Sequence, residues 1–185
     1  MIKIFNRVAV ELTEGNIVKQ SGYTAVVNAA NAELLPGGGV AGAIHSAAGP
    51  ELVKECRPLA PIKPGEAVIT KAYNLPNMFV IHTLGPVYGL DKNEKELLRR
   101  CYLNSLILAD KEKIESIAFP AISTGAFSYP MKEAAGIALR TIIDMTGQVQ
   151  NIKFIRMVLV NINDYKLFEE IFEKLILEEN SEEVE

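Results

Sequence analysis

Residues 24–44 read Thr-Ala-Val-Val-Asn-Ala-Ala-Asn-Ala-Glu-Leu-Leu-Pro-Gly-Gly-Gly-Val-Ala-Gly-Ala-Ile. A short apolar run, Thr24 to Val27, has the character of a strand covered on both faces. It empties into a loop whose glycines, Gly37, Gly38 and Gly39, carry no Cβ, and the loop then enters a helical pattern from Val40. Backbone N–H groups in such a loop, and at the head of the helix behind it, can approach a negatively charged ligand closely. Strand, glycine loop and helix in that order predict an α/β sheet with an anion site at the carboxyl end of a central strand.

A second segment repeats the pattern. Ser116 to Phe119 is another apolar strand, and it ends in Pro120-Ala121-Ile122-Ser123-Thr124-Gly125-Ala126-Phe127-Ser128-Tyr129-Pro130 before a helix. Two anion cradles at the ends of two central strands would face one crevice, an arrangement that suits a diphosphate. Further strands are expected at Ile2 to Phe5, Val8 to Leu12, Glu66 to Ala72, Met78 to His82 and Phe154 to Val160. The first two can meet antiparallel through a tight Asn6-Arg7 turn. Leu97, Leu98, Cys101, Leu108 and Ala109 fall on one helical face, as do Tyr165, Phe168, Ile171, Phe172, Leu175 and Ile176. Asn163 or Asp164 is expected to cap the last helix. The fold class that follows is α/β, a three-layer α/β/α sandwich with a central mixed β-sheet.

Composition narrows the ligand. The chain has 185 residues with 19 basic and 23 acidic side chains, and five of the acids lie after Leu177. The body is therefore close to neutral, unlike a surface that grips nucleic-acid phosphates with lysine and arginine. Residues 1–177 read as one domain and residues 178–185 as an acidic, frayed tail. No apolar run approaches a membrane span, and the first residues have no signal-peptide pattern. Cys56 and Cys101 are far apart and in no metal-ligand spacing, so no metal or other cofactor is expected and a reducing, cytoplasmic setting fits best. Both cysteines read as buried small apolar residues.

Three sharper readings are weaker than the plainer ones. Gly37-x-Gly39-x-x-Gly42 matches a dinucleotide fingerprint, but nine residues separate Val27 from Gly37 and no ribose-binding acid stands near Ile62. Ser123 lacks the nucleophile elbow, because Ala121 stands where the first glycine belongs. His45 and His82 have no obvious sequence partner for catalysis and read first as hydrogen-bonded structural histidines, with a catalytic base as the open alternative.

Val26-Val27-Asn28-Ala29-Ala30-Asn31, Gly37-Gly38-Gly39-Val40, Ile81-His82-Thr83-Leu84-Gly85-Pro86 and Ile117 to Gly125 resemble the macro domain in order and spacing. The match covers about Val8 to Leu177. The resemblance implies ADP-ribose binding, and in many members hydrolysis of ADP-ribosyl protein or of O-acetyl-ADP-ribose. It implies that Asn31 holds the distal ribose and positions the substrate, with Asn28 on the strand before it. Gly37, Gly38, Gly39, Val40 and Ala41 would wrap one side of the diphosphate, with Ile44 behind them. Ser123, Thr124, Gly125, Ala126 and Phe127 would close the other side. Asn16 and Ile17 would meet the adenine, with Val160 and Asn161 beside it.

Several positions depart from the family pattern. Asn16 stands where an Asp usually accepts from the adenine amine, so a hydrogen bond to a charge, about 1.5–3 kcal/mol, becomes a neutral one of about 0.5–1.5. Val160 replaces a stacking aromatic. Both changes predict ADP-ribose binding weaker than the family norm by about tenfold or more. Ala41 replaces the Asp of the MacroD-type hydrolases, and the GGGVAGA run is closer to archaeal and viral members, some of which use substrate phosphate to assist a water. Pro36 stands where the viral type often has His. Three functions stay open: a hydrolase of ADP-ribosyl groups, a noncatalytic ADP-ribose reader, and a module for another nucleotide or RNA. ADP-ribose, or a protein bearing it, is the expected partner, with nucleic acid and membrane disfavoured.

Overall fold

Short apolar runs build one seven-stranded sheet in the computed structural model, which describes residues 1–182. The strands are β1 (Ile2–Phe5), β2 (Val8–Glu14), β3 (Ala25–Ala29), β4 (Ala67–Lys71), β5 (Phe79–Thr83), β6 (Ser116–Pro120) and β7 (Phe154–Leu159). Their order is β1-β2-β7-β6-β3-β5-β4. β2, β7, β6, β3 and β5 run parallel, while β1 and β4 pair antiparallel at the two edges. The mixed sheet is thus the one expected. β2 runs past Leu12 because Thr13 and Glu14 still pair with Val158 and Leu159. The β1–β2 turn is tight: Asn6 and Arg7 both take positive φ, 46° and 84°, as a two-residue hairpin turn requires.

Helices cover both faces. α1 (Gly39–Ala48) and α2 (Glu51–Cys56) lie on one side; α3 (Glu94–Lys111), α4 (Met131–Thr146) and α5 (Ile162–Glu182) lie on the other. Neighbouring strand residues point to opposite faces. Val26 and Ala118 pack with Ile44, Ala48 and Leu52, whereas Val27, Ile117 and Phe119 pack with Leu98, Tyr102, Leu139 and Phe168. Alanines at Ala134, Ala135 and Ala138 give α4 a flat buried stripe, so it can sit close to the sheet. Three layers with two cores result.

Two expectations about α5 need correction. Its cap is Asn161, whose Oδ1 accepts from the N–H groups of Asn163 and Asp164 at 3.0 Å each. Asn163 and Asp164 are therefore the capped residues, and the first apolar residue of the helix, Ile162, comes earlier than the stripe implied. The acidic segment also stays helical through Glu182. Arg140 of α4 pairs with Glu178 and, at 2.9 Å, with Glu179. A cation presented across a helix–helix contact thus gives the acids a partner, and the frayed-tail reading fails for 178–182. Residues 183–185 lie outside the described residues.

Candidate functional site: a cleft between β3 and β6

β3 and β6 are adjacent and parallel, but the chain leaves them in opposite directions. After β3 it enters α1 on one face of the sheet, and after β6 it enters α4 on the other. A crevice opens where connections diverge in this way. A cavity of about 270 Å³ lies there, lined by Ala29, Ala30 and Asn31 after β3, Gly37 to Ala41 at the head of α1, Gly85 after β5, and Ala121, Ile122, Ser123, Gly125, Ala126 and Phe127 after β6. The two cradles expected from the sequence face one another across it.

Local chemistry shapes each wall. Asn31 holds the first loop: its Oδ1 accepts from Leu35 N–H at 3.0 Å and its Nδ2 donates to the Leu35 carbonyl at 2.7 Å. One amide hydrogen and one carbonyl lone pair of Asn31 remain for a ligand. Gly38 is the N-cap of α1, so the N–H groups of Gly39, Val40 and Ala41 fall in the first helical turn, where no intrahelical acceptor exists. Among the described residues, the N–H groups of Thr124, Gly125, Ala126 and Phe127 donate to no protein acceptor. Ser123 bends the second loop at φ 66°, and Tyr129 N–H closes it onto the Ser123 carbonyl at 2.9 Å. The Ser123 Oγ is buried without a partner.

Two glycines are required by space. A Cβ on Gly42 would lie 2.3 Å from the Gly37 carbonyl oxygen, so the helix start and the loop pack backbone to backbone. A Cβ on Gly85 would lie 2.0 Å from Ser123 Oγ and 2.8 Å from Ile122 Cγ2. Gly85 therefore lets the end of β5 press against the second cradle.

The other expected site residues fall elsewhere. Asn28 is fully buried in β3, where its Nδ2 donates to His82 Nδ1 at 3.1 Å. Ile44 is a core residue under α1. Thr124 spends its hydroxyl on the Ala121 carbonyl at 2.8 Å, bracing the turn from outside the cavity lining. Asn16, Ile17, Val160 and Asn161 stand at the ends of β2 and β7, beyond the cavity, and Gly15 N–H joins the two ends by donating to the Leu159 carbonyl at 2.8 Å. Asn16 Oδ1 accepts from Val18 N–H at 3.1 Å, capping the 3₁₀ turn Ile17–Lys19, and Ile17 is buried beneath it. Val160 is 78% exposed, and the polar atoms of Asn161 serve the α5 cap and Asp164.

No lining residue of the cavity titrates near neutral pH. His82 sits below the cleft as an ordered neutral ring: because Asn28 donates to Nδ1, Nε2 carries the proton and donates to Thr70 Oγ1 at 2.9 Å, and Thr70 donates onward to the Lys71 carbonyl. Burial, with a smaller contribution from His45, pushes the His82 pKa down to about 3. His45 corrects an expectation. It is buried, 6.3 Å from His82 between ring centroids, but neither of its ring nitrogens has a partner, and burial lowers its pKa too. Burial pushes both Cys56 and Cys101 up to about 11, so neither is a thiolate at neutral pH.

A profile of the Macro domain matches residues 27–138, and a macro domain-containing protein of Methanosarcina mazei is 46% identical over 168 residues, 90% of this chain and 89% of that one. The chain belongs to the macro domain family. The Oceanobacillus iheyensis macrodomain, solved with ADP, superposes with a TM-score of 0.92 at 41% identity, covering 96% of this chain and 97% of that one. The ADP-ribose glycohydrolase MACROD2 of Xenopus laevis is 49% identical over 127 residues, 68% of this macro domain but 30% of that protein.

In this macro domain the cleft also uses residues that were not among the expected site residues. Ala29, Ala30, Ala121 and Ile122 line it through backbone and small side chains, and such residues look like ordinary core. Gly85 was the detectable one. It stands two residues after the end of β5 and precedes a proline, where a glycine more often answers a close approach than a turn. Among the described residues no helix is long and apolar enough to cross a membrane.

Proposed function

We propose that this macro domain binds ADP-ribose with the diphosphate between Gly37 to Ala41 and Ser123 to Phe127, and that it hydrolyses ADP-ribosyl protein or O-acetyl-ADP-ribose. The observation that supports this most is the pair of backbone N–H cradles facing each other across a cavity without a lining cation. Helix-start and turn amides supply partial positive charge at fixed positions, enough to hold two phosphates. The distal ribose takes the free donor and acceptor of Asn31 and lies against half-buried Phe127. The base extends past the cavity toward Asn16 and Ile17, where the exposed Val160 offers apolar contact without a ring.

Catalysis then rests on positioning. A water held between a substrate phosphate oxygen and the distal ribose attacks the anomeric carbon. The bond from that carbon to the leaving oxygen breaks, the protein carboxylate departs, and a substrate phosphate oxygen takes the water proton; with O-acetyl-ADP-ribose the same water attacks the acetyl carbonyl carbon, the ester C–O bond breaks, and acetate and the free ribose hydroxyl are released. With Ala41 at the head of α1, no protein base helps, and the absence of one typically costs 10²–10⁴ in rate. A cytoplasmic setting, where both thiols stay reduced, belongs to the same reading.

A noncatalytic reader is the second reading, favoured by the lack of any titratable lining side chain. Incubation with mono-ADP-ribosylated protein and with O-acetyl-ADP-ribose separates the two. Release of ADP-ribose or acetate above a heat-inactivated control supports the hydrolase, and its absence, with ADP-ribose binding intact, leaves the reader.

A further inference from the structure

We propose that the Tyr88–Leu90 turn beside the cleft is a docking contact for the polypeptide that carries an ADP-ribosylated side chain, an inference that rests on the cleft being a site for protein-linked ADP-ribose. The turn leaves β5 through Gly85, which lines the cavity. Tyr88 N–H donates to the carbonyl of Phe127, a cavity residue, at 2.9 Å. The Tyr88 ring meets Tyr129 edge-on with centroids 5.0 Å apart, and Tyr129 is itself tied to Ser123. The Asp91 carboxylate accepts from Val87 N–H at 2.7 Å, and that of Glu94 accepts from Gly89 N–H at 2.9 Å, with Gly89 at φ 78°. The turn is thus anchored both to the second cradle and to the start of α3.

This ordering does not bury the turn's own apolar side chains. Leu90 is 81% exposed, the highest value among the large apolar residues exposed in the described chain, and Tyr88 is 40% exposed. A segment whose backbone freedom is already lost can bind a partner without that entropic cost. Leu90 lies two residues from Tyr88, at most about 7 Å along the chain, and Tyr88 is bonded to the cavity residue Phe127.

The occupant that fits is a polypeptide leaving the cleft with an apolar side chain next to its modified residue. The Asp91 and Glu94 carboxylates are spent on the turn's own backbone, which leaves Leu90 and Tyr88 as the side chains the turn itself presents. Neither Tyr88 nor Leu90 lines the cavity itself, so free ADP-ribose is not expected to depend on them.

The test uses a peptide carrying ADP-ribose through a non-hydrolysable linkage, with leucine beside the modified residue, and the same peptide with serine there. Affinities of the wild-type chain, Leu90→Ser and Tyr88→Ser are measured for both peptides and for free ADP-ribose. Wild type is expected to prefer the leucine peptide about tenfold, the factor one partly buried leucine supplies. Leu90→Ser is expected to lose most of that preference and to keep its affinity for free ADP-ribose. Equal preference in wild type and both variants overturns the docking contact. If wild type fails to bind free ADP-ribose, the reading of the cleft falls first and the proposal with it.

Discussion

Gly42→Ala separates the fold of this macro domain from its cleft. Alanine suits a helix interior better than glycine by about 1 kcal/mol, so propensity alone favours the variant. Its Cβ, however, would lie 2.3 Å from the Gly37 carbonyl oxygen, where ordinary contact begins at 3.4 Å. Gly37 and Gly38 are exposed, so the loop can yield while the core stays in place. It must retreat by about 1 Å, a displacement of the size that costs about 10²-fold where geometry matters. Loss of one backbone bond to a charged phosphate, about 1.5–3 kcal/mol, gives an affinity loss of about 10- to 100-fold. Gly136→Ala in α4 is the control, because a Cβ there meets nothing within 4 Å. Calorimetric titration with ADP-ribose, run beside thermal unfolding, reads both quantities. Gly136→Ala is expected to bind like wild type, and Gly42→Ala to bind more weakly with a melting temperature within a few degrees of it. Unchanged affinity in Gly42→Ala would refute the placement of the first cradle.

Stability should also depend on pH through His82. Its folded pKa, about 3, lies below the unfolded value of 6.5, so the unfolded chain binds protons first, and the neutral ring's contribution, full above pH 6.5, falls as the pH drops toward 3. Urea unfolding at pH 7 and pH 4.5 should show this loss, and His82→Gln should flatten the slope; an equal slope in the variant contradicts the assignment. Asp110 binds three backbone N–H groups through Oδ1, those of Gln150, Asn151 and Ile152 at 2.9, 2.6 and 3.2 Å, and so fastens α3 to the approach of β7. Asp110→Ala is expected to cost about 2 kcal/mol, about 4–8 °C in melting temperature, with ADP-ribose affinity unchanged. A melting temperature equal to that of wild type would show the clamp to be dispensable.

Much of this architecture is local in the chain and could be read there. Val26 and Val27 face different cores, and an uninterrupted apolar pair between polar ends is the pattern such a strand leaves. The two cradles were legible for the same reason, since each follows its own strand within a few residues. What escaped depends on distant partners. Glu178 and Glu179 read as a solvated run because Arg140 lies almost forty residues earlier. His45 and His82 looked alike, yet only His82 meets Asn28 and Thr70, which other strands deliver. Asn161 caps α5 where Asn163 or Asp164 was expected, since all three suit a cap by type and only backbone geometry decides among them.

The central claim is that backbone amides, with no lining cation, hold the diphosphate. Gly38→Glu tests it most directly. Gly38 has φ −84° and open space where a Cβ would go, so glutamate fits the fold while placing a carboxylate in the cradle, where a phosphate would meet like charge. Titration of wild type and Gly38→Glu with ADP-ribose is predicted to show binding by the first and none by the second, with both folded by circular dichroism. Equal affinity in the two folded proteins would contradict the account.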